Sequence, residues 1–389
     1  MNRENISVPC CIIRGGTSKG IFFKENDIPG PGPDRDAFIL RAFGSPDTRQ
    51  IDGLGGANSL TSKVAIIGVS DREDADVDYT FGQVSFAAPV IDWKGNCGNI
   101  SSGAALFAVD MNMVKVEEPF TTVRIYNTNT DKLIIAKVPV KDGKTRSTGD
   151  YVISGVPGSG AKITLHFQEP AGSVTKKLLP TGHATDIIDL GKDGAFEVSI
   201  IDAANPVVFL KAEELGLKGT ELPTQVENMS EKLTIIEKIR SVAAEMVGIV
   251  DDRREATKKF PAIPKIGFMS PAADYVNPDG VLIRKEQMDL TARLCSMQKM
   301  HRAYMVTGGV CTGAAAKVEG SVVWQMLSEE ARRKSTLNIG HPYGIMDVDV
   351  TLGHPASEGY DESYIAGVGV GRTARLIMEG RVSVPQTDI

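Results

Sequence analysis

Short segments in which apolar and polar residues alternate dominate this chain. Residues 76–86, DVDYTFGQVSF, place Val77, Tyr79 and Phe81 on one side of an extended chain, and MDVDVTL at 346–352 alternates in the same way. A period of two is typical of strands with one buried face. Further strands are predicted in TVRIYNT, KLIIAKVPV, FEVSIID and VVFL, with tight turns at Asp142-Gly143 and Asp193-Gly194.

Helical spacing is confined to a few segments. DRDAFILRAFG and SEKLTIIEKIRSVAAEMVG each end on a glycine, Gly44 and Gly248, which suits the residue after a helix. The segment MDLTARLCSMQKMHRAYM spaces its large apolar side chains by three or four residues and predicts a third helix. These side chains are Leu290, Leu294, Met297 and Met300. Two shorter helices are predicted after Cys97 and Cys311.

Those two short helices suggest an internal duplication. NCGNISSGAALFAV and GGVCTGAAAKV share a glycine turn, a cysteine, hydroxyl residues and then a helix of small residues. We expect two similar halves, each a sheet wrapped around a short buried helix. The glycine-rich segment 149–163 suits the passage between them. We assign residues 1–185 to the first domain and 186–389 to the second, with the last strand returning to the first.

The composition and net charge limit the kinds of partner and location that we expect for this protein. The chain has 389 residues, of which 42% are hydrophobic and 24% charged, and a net charge of −6. This balance gives no reason to expect nucleic acid or an anionic membrane as a partner. No apolar stretch approaches the ~20 residues that span a bilayer, and the first ten residues, MNRENISVPC, hold no apolar signal core. We therefore expect a cytoplasmic protein.

The five cysteines do not form a recognisable framework. They are irregularly spaced and odd in number, and the chain contains neither a CxxC pair nor an HxxEH motif. These features favour reduced thiols and no metal site. The cysteines are Cys10, Cys11, Cys97, Cys295 and Cys311.

Cys97 is chemically the most distinctive of the five. It lies within GNCGNISSG, directly before an apolar helix. One interpretation is packing, because free cysteine behaves as a small hydrophobe. The other is reactivity, because peptide N–H groups at a helix start stabilise a thiolate and bind anions.

Two further polar segments have a structural and a functional interpretation each. RGGTSKG at 14–20 offers cationic and hydroxyl groups suited to carboxylates, or forms a tight hairpin with a solvated lysine. It lacks the spacing of a phosphate loop. Lys63, at the start of the apolar strand KVAII, is either a proton carrier beside apolar surface or the polar end of a strand.

Together these segments resemble the PrpF family, which includes 2-methylaconitate cis-trans isomerase, 3-methylitaconate Δ-isomerase and 4-oxalomesaconate tautomerase. The resemblance covers nearly the whole chain, in order. It implies the diaminopimelate epimerase-like α/β (α+β) fold, with two pseudo-symmetric domains, each a mostly antiparallel sheet around a central helix, and an active site in the cleft between them. The matching segments are RGGTSKGIFF, GSPDTRQIDGLGGANSLTSKVAII, DVDYTFGQVS, GNCGNISSG, LLPTG, GHPYG and RTARLIMEG.

The resemblance also implies roles for individual residues. Lys63 and Cys97 match the acid–base pair, and Ser18 a hydroxyl at the substrate. The remaining matches are contacts to substrate carboxylates, namely Thr17 and Lys19 beside Ser18, Gly98, Asn99 and Ser101 after Cys97, and Thr312 and Gly313 at a second helix start.

The second catalytic position of the epimerases differs in this chain. In the epimerases of this fold a second cysteine directly precedes the segment G-T-G. When T-G-A of this chain is aligned with the matching residues there, Val310 takes the catalytic position and Cys311 stands one residue later. Racemisation with two thiols is therefore not expected.

The expected activity is a cofactor-free 1,3-allylic proton shift on a small unsaturated di- or tricarboxylate. No cofactor or metal is expected, and family resemblance implies a homodimer or homotetramer. Two alternatives stay open: an amino-acid epimerase of the diaminopimelate epimerase type, and a carboxylate-binding protein without chemistry. A phosphate-binding or nucleotide enzyme is disfavoured by the missing loop spacing.

Overall fold

The chain folds into two compact units, and each unit is built from β-strands around one buried helix. The computed structural model describes residues 4–353 and 364–385. One unit comprises Met1–Leu165 with Arg372–Ile389, and the other His166–Gly371. The chain thus changes unit at 165/166, shortly after the glycine-rich segment, whereas the sequence analysis places the boundary at 185/186.

The strands account for most of the regular structure. They are β1 Asn5–Gly15, β2 Ser18–Lys24, β3 Lys63–Val69, β4 Val77–Val84, β5 Ile91–Asp92, β6 Phe120–Asn127, β7 Lys132–Lys141, β8 Lys144–Thr145, β9 Ile163–Gln168, β10 Asp186–Asp189, β11 Ala195–Ala203, β12 Asn205–Lys211, β13 Lys265–Pro271, β14 Tyr275–Val276, β15 Leu282–Ile283, β16 Leu290–Ser296, β17 Lys299–Met300, β18 Thr336–His341, β19 Gly344–Leu352, β20 Ile365–Arg372 and β21 Ala374–Pro385.

The helices are fewer and mostly short. They are α1 Pro33–Phe43, α2 Gly98–Asp110, α3 Pro223–Glu227, α4 Ser230–Met246, α5 Ala256–Lys259, α6 Val306–Ala315, α7 Val322–Met326 and α8 Glu329–Arg333. Single 3₁₀ turns occur at Glu25–Asp27, Gly191–Asp193, Ala212–Leu215, Arg253–Glu255 and Lys285–Gln287. Within the described residues, no helix has both the length and the apolar character that crossing a bilayer requires.

The first unit wraps its strands around α2. The strand order is β21-β1-β2-β3-β4-β6-β7, with parallel pairing between β2 and β3 and between β4 and β6, and antiparallel pairing elsewhere. The first twelve residues of α2, Gly98 to Val109, are all buried. Its Phe107 stacks on Phe22 of β2, with ring centroids 5.9 Å apart. Because α2 is buried on every side, the strands must curve around it and contact it on all of its faces.

The second unit repeats this plan. Its order is β10-β11-β12-β13-β16-β18-β19, again with two parallel pairs, β12 with β13 and β16 with β18. All ten residues of α6 are buried, so α6 corresponds to α2. In both units a strand that starts with a lysine, Lys63 or Lys265, runs parallel to the second strand of a hairpin. The duplication expected from the two cysteine segments is therefore visible in the topology.

Most of the predicted elements are confirmed. The alternating segments form β4 and β19, and the other predicted strands lie within β6, β7, β11 and β12. The predicted helices at 34–44 and 230–248 correspond to α1 and α4. Gly44 closes α1 in the left-handed conformation, with φ 70°.

The helix predicted at 288–305 is wrong. This segment forms β16 and β17, joined by a tight turn in which Met297 and Gln298 both have positive φ angles, 53° and 56°. Six of the seven residues of β16 are buried, because α6 covers one side and the core beneath α4 the other. A strand buried on both faces loses its period of two, so its apolar spacing resembles that of a helix.

Candidate active site

The N-terminus of α2 carries Cys97 at an uncapped helix start. Cys97 is the N-cap residue, with φ −121° and ψ 97°, and no side chain caps the helix. The first hydrogen bond of the helix runs from the Ser101 N–H to the Cys97 carbonyl over 2.9 Å. The N–H groups of Gly98, Asn99 and Ile100 therefore have no acceptor within the helix. This end of α2 is partially positive and favours an anion or a thiolate.

The hairpin between β1 and β2 packs its tip against this helix start. Asn99 Nδ2 donates to Thr17 Oγ1 over 3.0 Å, and the Thr17 N–H donates to Asn99 Oδ1 over 3.4 Å. A Cβ on Gly15 would lie 2.3 Å from the Asn99 carbonyl oxygen. The tip and the helix are thus in backbone contact, which requires glycine at position 15.

Substituting Gly15 is expected to separate these two elements. In Gly15→Ala the new methyl group meets the rigid backbone of α2, so we expect a loss of about 1–3 kcal/mol in the free energy of unfolding. Urea denaturation measures it. Gly30→Ala is the matched control, because nothing lies within 4 Å of its added Cβ. Equal unfolding free energies for the two variants would contradict the tight packing described here.

Arg372 joins the helix start from a distant part of the chain. Its Nε donates to Asn99 Oδ1 over 3.2 Å, and the residue is 5% exposed. The two residues are 273 positions apart, and no local sequence pattern indicates a role for Arg372. Asn99 Oδ1 therefore accepts hydrogen bonds from both Thr17 and Arg372. The Asn99 side chain thus holds both Thr17 and Arg372 against the first turn of α2. Its backbone N–H remains one of the three N–H groups that have no acceptor within the helix.

The two polar residues that follow Thr17 lie on opposite faces of β2. Ser18 shares its face with Gly20 and Phe22, which contact α2, and is 2% exposed. Lys19 shares the other face with Ile21 and Phe23, which belong to the core beneath α1. Strand alternation thus directs Ser18 toward α2 and Lys19 away from it.

Lys63 begins β3 on the face that looks toward α2. Its Nζ donates to Gln83 Oε1 over 2.6 Å and lies 5.2 Å from the centroid of the Phe81 ring. The residue is only 8% exposed. Among the described residues, no carboxylate oxygen lies within 4.0 Å of this nitrogen. A Cβ on Gly20 would touch both the Lys63 carbonyl oxygen, at 3.0 Å, and Ile100 Cδ1, at 3.1 Å, so the start of β3 adjoins the first turn of α2.

One face of β4 contacts both Lys63 and Cys97. Phe81 and Gln83 meet the lysine, and Tyr79, on the same face, donates its hydroxyl to the Cys97 carbonyl over 3.4 Å. Burial raises the pKa of Tyr79 well above its usual value, so this phenol stays protonated. Ser101 is fully buried and donates to the same carbonyl over 3.2 Å. Tyr79 and Ser101 therefore fix the backbone at Cys97 from within the core.

The helix start predicted at Thr312 and Gly313 is wrong. α6 begins at Val306, so both residues lie in its last turns and are buried. Thr312 Oγ1 donates to the Gly308 carbonyl over 2.7 Å. Gly308 and its neighbour Gly309 suggested a turn in the sequence, but they lie inside the helix. A Cβ on Gly308 would lie 2.2 Å from Leu294 Cδ1, so glycine serves close packing there.

The first turn of α6, like that of α2, is joined to a neighbouring strand or hairpin by a side-chain hydrogen bond of its second residue. Thr307, its second residue, accepts a hydrogen bond over 3.0 Å from Nδ2 of Asn205, at the start of β12. In α2 the second residue, Asn99, makes the equivalent bond to Thr17 beside β2 in the opposite direction, because there the helix residue donates. No thiol stands at this helix start, because the N-cap residue of α6 is Met305. Cys311 lies inside the helix, is fully buried and donates to the Ile201 carbonyl over 3.2 Å. Burial raises the pKa of Cys311 far above its usual value.

Comparison with solved structures identifies the fold. A crystal structure of methylitaconate-delta-isomerase matches with a TM-score of 0.80 at 44% identity, over 98% of this chain and 97% of that one. A hydroxyproline epimerase from Agrobacterium vitis matches with a TM-score of 0.56 at 12% identity, over 98% and 93% of the two chains. The second likeness concerns the fold alone. The expected diaminopimelate epimerase-like fold is confirmed.

Comparison with curated sequences identifies the family. A 3-methylitaconate isomerase of Eubacterium barkeri is 44% identical over 387 residues, 99% of each chain. A 2-methyl-aconitate isomerase of Shewanella oneidensis is 38% identical over 98% of each chain. A 4-oxalomesaconate tautomerase of Pseudomonas putida is 37% identical over 97% of this chain and 96% of its own. The family model described as PrpF protein matches residues 5–385, and the chain belongs to the PrpF family.

Proposed function

We propose that this protein is a cofactor-independent isomerase that moves a proton between the two ends of an allyl system in a small unsaturated di- or tricarboxylate. The observation that carries the proposal is that one face of β4 contacts both Lys63, a nearly buried amine with no carboxylate partner among the described residues, and the backbone of Cys97 at the uncapped start of α2. Three relatives that cover nearly the whole chain are named for isomerisation or tautomerisation of such acids. The proposed substrates are acids of the aconitate, 2-methylaconitate, 3-methylitaconate or 4-oxalomesaconate type.

In the proposed reaction, one basic group removes a proton from the carbon next to the C=C bond. The electron pair of the broken C–H bond forms a new C=C bond, and the original π pair takes up a proton at the far carbon. Atoms and charge balance, so no oxidant, reductant or cofactor is needed. Cys97 and Lys63 are the two proposed proton-transferring groups, one acting as the base and the other as the acid.

The intermediate is a dienolate, and its negative charge requires stabilisation. We assign this role to the backbone N–H groups of Gly98 and Asn99 together with the guanidinium of Arg372. Ser18 lies on the strand face toward α2 and is assigned a hydroxyl contact to the substrate. Thr17 and the side chain of Asn99 hold the helix start in place.

Four residues that the family resemblance places at the substrate receive no such contact in this proposal. They are Lys19, Ser101, Thr312 and Gly313. The last three are fully or almost fully buried and already packed, and Lys19 lies on the strand face away from α2.

Epimerisation of an amino acid is the weaker alternative. That chemistry in this fold uses two thiols, but the N-cap of α6, which corresponds to Cys97 at the start of α2, is Met305. Val310, which the sequence alignment places at the second catalytic position, lies inside α6 and is fully buried. Cys311, one residue later, is enclosed within α6 and bonded to the Ile201 carbonyl. Its thiol is not available as a second acid or base.

A substrate panel tests the proposal. Purified protein is mixed with cis-aconitate, trans-aconitate, 2-methylaconitate, 2-methylene-3-methylsuccinate and oxalomesaconate, and ultraviolet absorbance follows the moving double bond. We expect turnover of at least one of these acids without added metal or cofactor. Binding of an acid by calorimetry with no turnover of any would instead indicate a carboxylate-binding protein.

We also propose an oligomeric assembly and a reducing location for this protein. The family resemblance favours a homodimer or homotetramer, and light scattering on the purified protein would measure the mass. Five free cysteines favour a reducing compartment such as the cytoplasm, which fractionation of cells that express the protein would test.

A further inference from the structure

The surroundings of the Lys63 ammonium are unusual for a buried lysine. Lysine is almost never buried unless a charged partner accompanies it. Here the partner at 2.6 Å is the neutral amide oxygen of Gln83, and the flat ring of Phe81 covers another side. A carboxylate at this position would favour the ammonium over the amine. A neutral acceptor holds the nitrogen in place without imposing that preference.

A hydrogen-bond chain fixes which end of the Gln83 amide faces Lys63. Gln83 Nε2 donates to the Ser62 carbonyl over 2.9 Å, and a carbonyl can only accept, so Oε1 must point to the lysine. Ser62 is held in turn, because its hydroxyl donates to Gln50 Oε1 over 2.6 Å. Gln50 Oε1 also accepts the Ala57 N–H over 2.8 Å. Gln83, Ser62 and Gln50 are at most 5% exposed.

The sheet register places Gln83 between Lys63 and a carboxylate. Lys63 pairs with Gln83 across β3 and β4, and Gln83 pairs with Asp92 across β4 and β5. Directly paired residues of antiparallel strands share a face. Asp92 is thus the acidic group of this row, and Gln83 separates it from the amine. On α2, the titratable group at the adjoining helix start is Cys97.

We propose that Gln83 is the positioning residue of the proton-transfer site: it aims the Lys63 nitrogen and supplies an uncharged acceptor that leaves the amine free to gain and lose a proton. This inference rests on the role proposed for Lys63. It assigns a function to the glutamine of DYTFGQVS that is distinct from packing, because the charge of the acceptor matters as well as its shape.

Two substitutions separate the effect of the Gln83 hydrogen-bond acceptor from the effect of its being uncharged. Gln83→Met keeps the bulk and removes the acceptor, so we expect kcat to fall about 10²-fold with little change in KM, as for a displaced catalytic group. Gln83→Glu keeps the acceptor and adds a charge. We expect the midpoint of the limb of the pH–rate profile that reports the free amine to move about one pH unit or more upward.

A titration without substrate keeps this inference separate from the proposed activity. The protein is labelled with ¹³C-lysine, and the Lys63 Cε resonance, assigned by its loss in Lys63→Arg, is followed against pH. In Gln83→Glu its midpoint should rise by the same amount as the pH–rate limb, even if the panel acids prove not to be substrates. Gln50→Glu is the matched control, since it makes the same buried change one step further from Lys63, and its midpoint should move much less.

Either of two results would overturn the inference. The first is a Gln83→Glu protein whose Lys63 midpoint coincides with that of the wild type. The second is a Gln83→Met protein that turns substrate over at the wild-type rate. A shifted midpoint in a protein that turns over no acid would leave Gln83 in its role and refute only the proposed reaction.

Discussion

Replacing Lys63 with methionine is expected to lower kcat by about 10²–10⁴-fold, the range that a positioned acid or base contributes. Methionine fills a similar volume against Phe81, so the unit should still fold. The amide oxygen of Gln83 loses its donor, which costs about 1–3 kcal/mol of unfolding free energy. Steady-state kinetics with the best acid of the panel measures the loss of activity, and urea denaturation measures the loss of stability.

Two companion variants show whether the amine acts as a base or only as a charge. Lys63→Arg keeps a cation that does not deprotonate in proteins, so it should be as inactive as Lys63→Met. Lys24→Met, at the exposed end of β2, should behave as the wild type. A Lys63→Arg protein with near wild-type kcat would show that Lys63 contributes only its positive charge and does not transfer a proton.

Replacing Cys97 with serine is expected to lower kcat by a similar factor, about 10²–10⁴-fold, without loss of stability. A serine hydroxyl does not ionise near neutral pH, so it cannot replace a thiol in proton transfer. It is, however, a good N-cap, whereas Cys97 makes no capping bond. Kinetics and thermal unfolding of the same preparation should therefore diverge: activity falls while the midpoint of unfolding holds or rises.

Chemical modification provides an independent measurement of the same thiol. All five cysteines lie within the described residues, and Cys97 is the one that is not buried. Iodoacetamide should thus alkylate Cys97 selectively in the native protein and inactivate it, and a bound polycarboxylate should slow the reaction. A fully alkylated Cys97 with unchanged turnover would exclude the thiol from the mechanism.

Local sequence patterns are sufficient to locate residues that stand at the ends of well-defined strands and helices. Lys63 begins an apolar strand and Cys97 precedes a helix of small residues, so the sequence alone indicates both positions. The first unit then places both on elements that contact one face of β4. Their proposed roles nevertheless came from family resemblance, since each position also has an ordinary structural interpretation.

Contacts between distant residues could not be predicted in this way. The bond between Arg372 and Asn99 joins residues 273 positions apart, and nothing in either local segment indicates the other. The role of Gln83 is likewise not indicated by the local sequence, because it depends on the register in which β3 pairs with β4. Thr307 was missed because Gly308 and Gly309 suggested a turn, whereas they allow α6 to approach β16 and β19 closely.

In the proposed reaction, side chains of this protein carry the proton between two carbons of the substrate. Turnover of the active acid in D₂O, followed by ¹H and ²H NMR of the product, tests it most directly. In D₂O the neutral amine carries two deuterons before it accepts one substrate proton, and a thiol exchanges between turnovers, so we expect deuterium at the newly protonated carbon. Repeated forward and reverse passes should then label both ends of the allyl system. An equilibrium mixture of isomers free of carbon-bound deuterium would contradict the account.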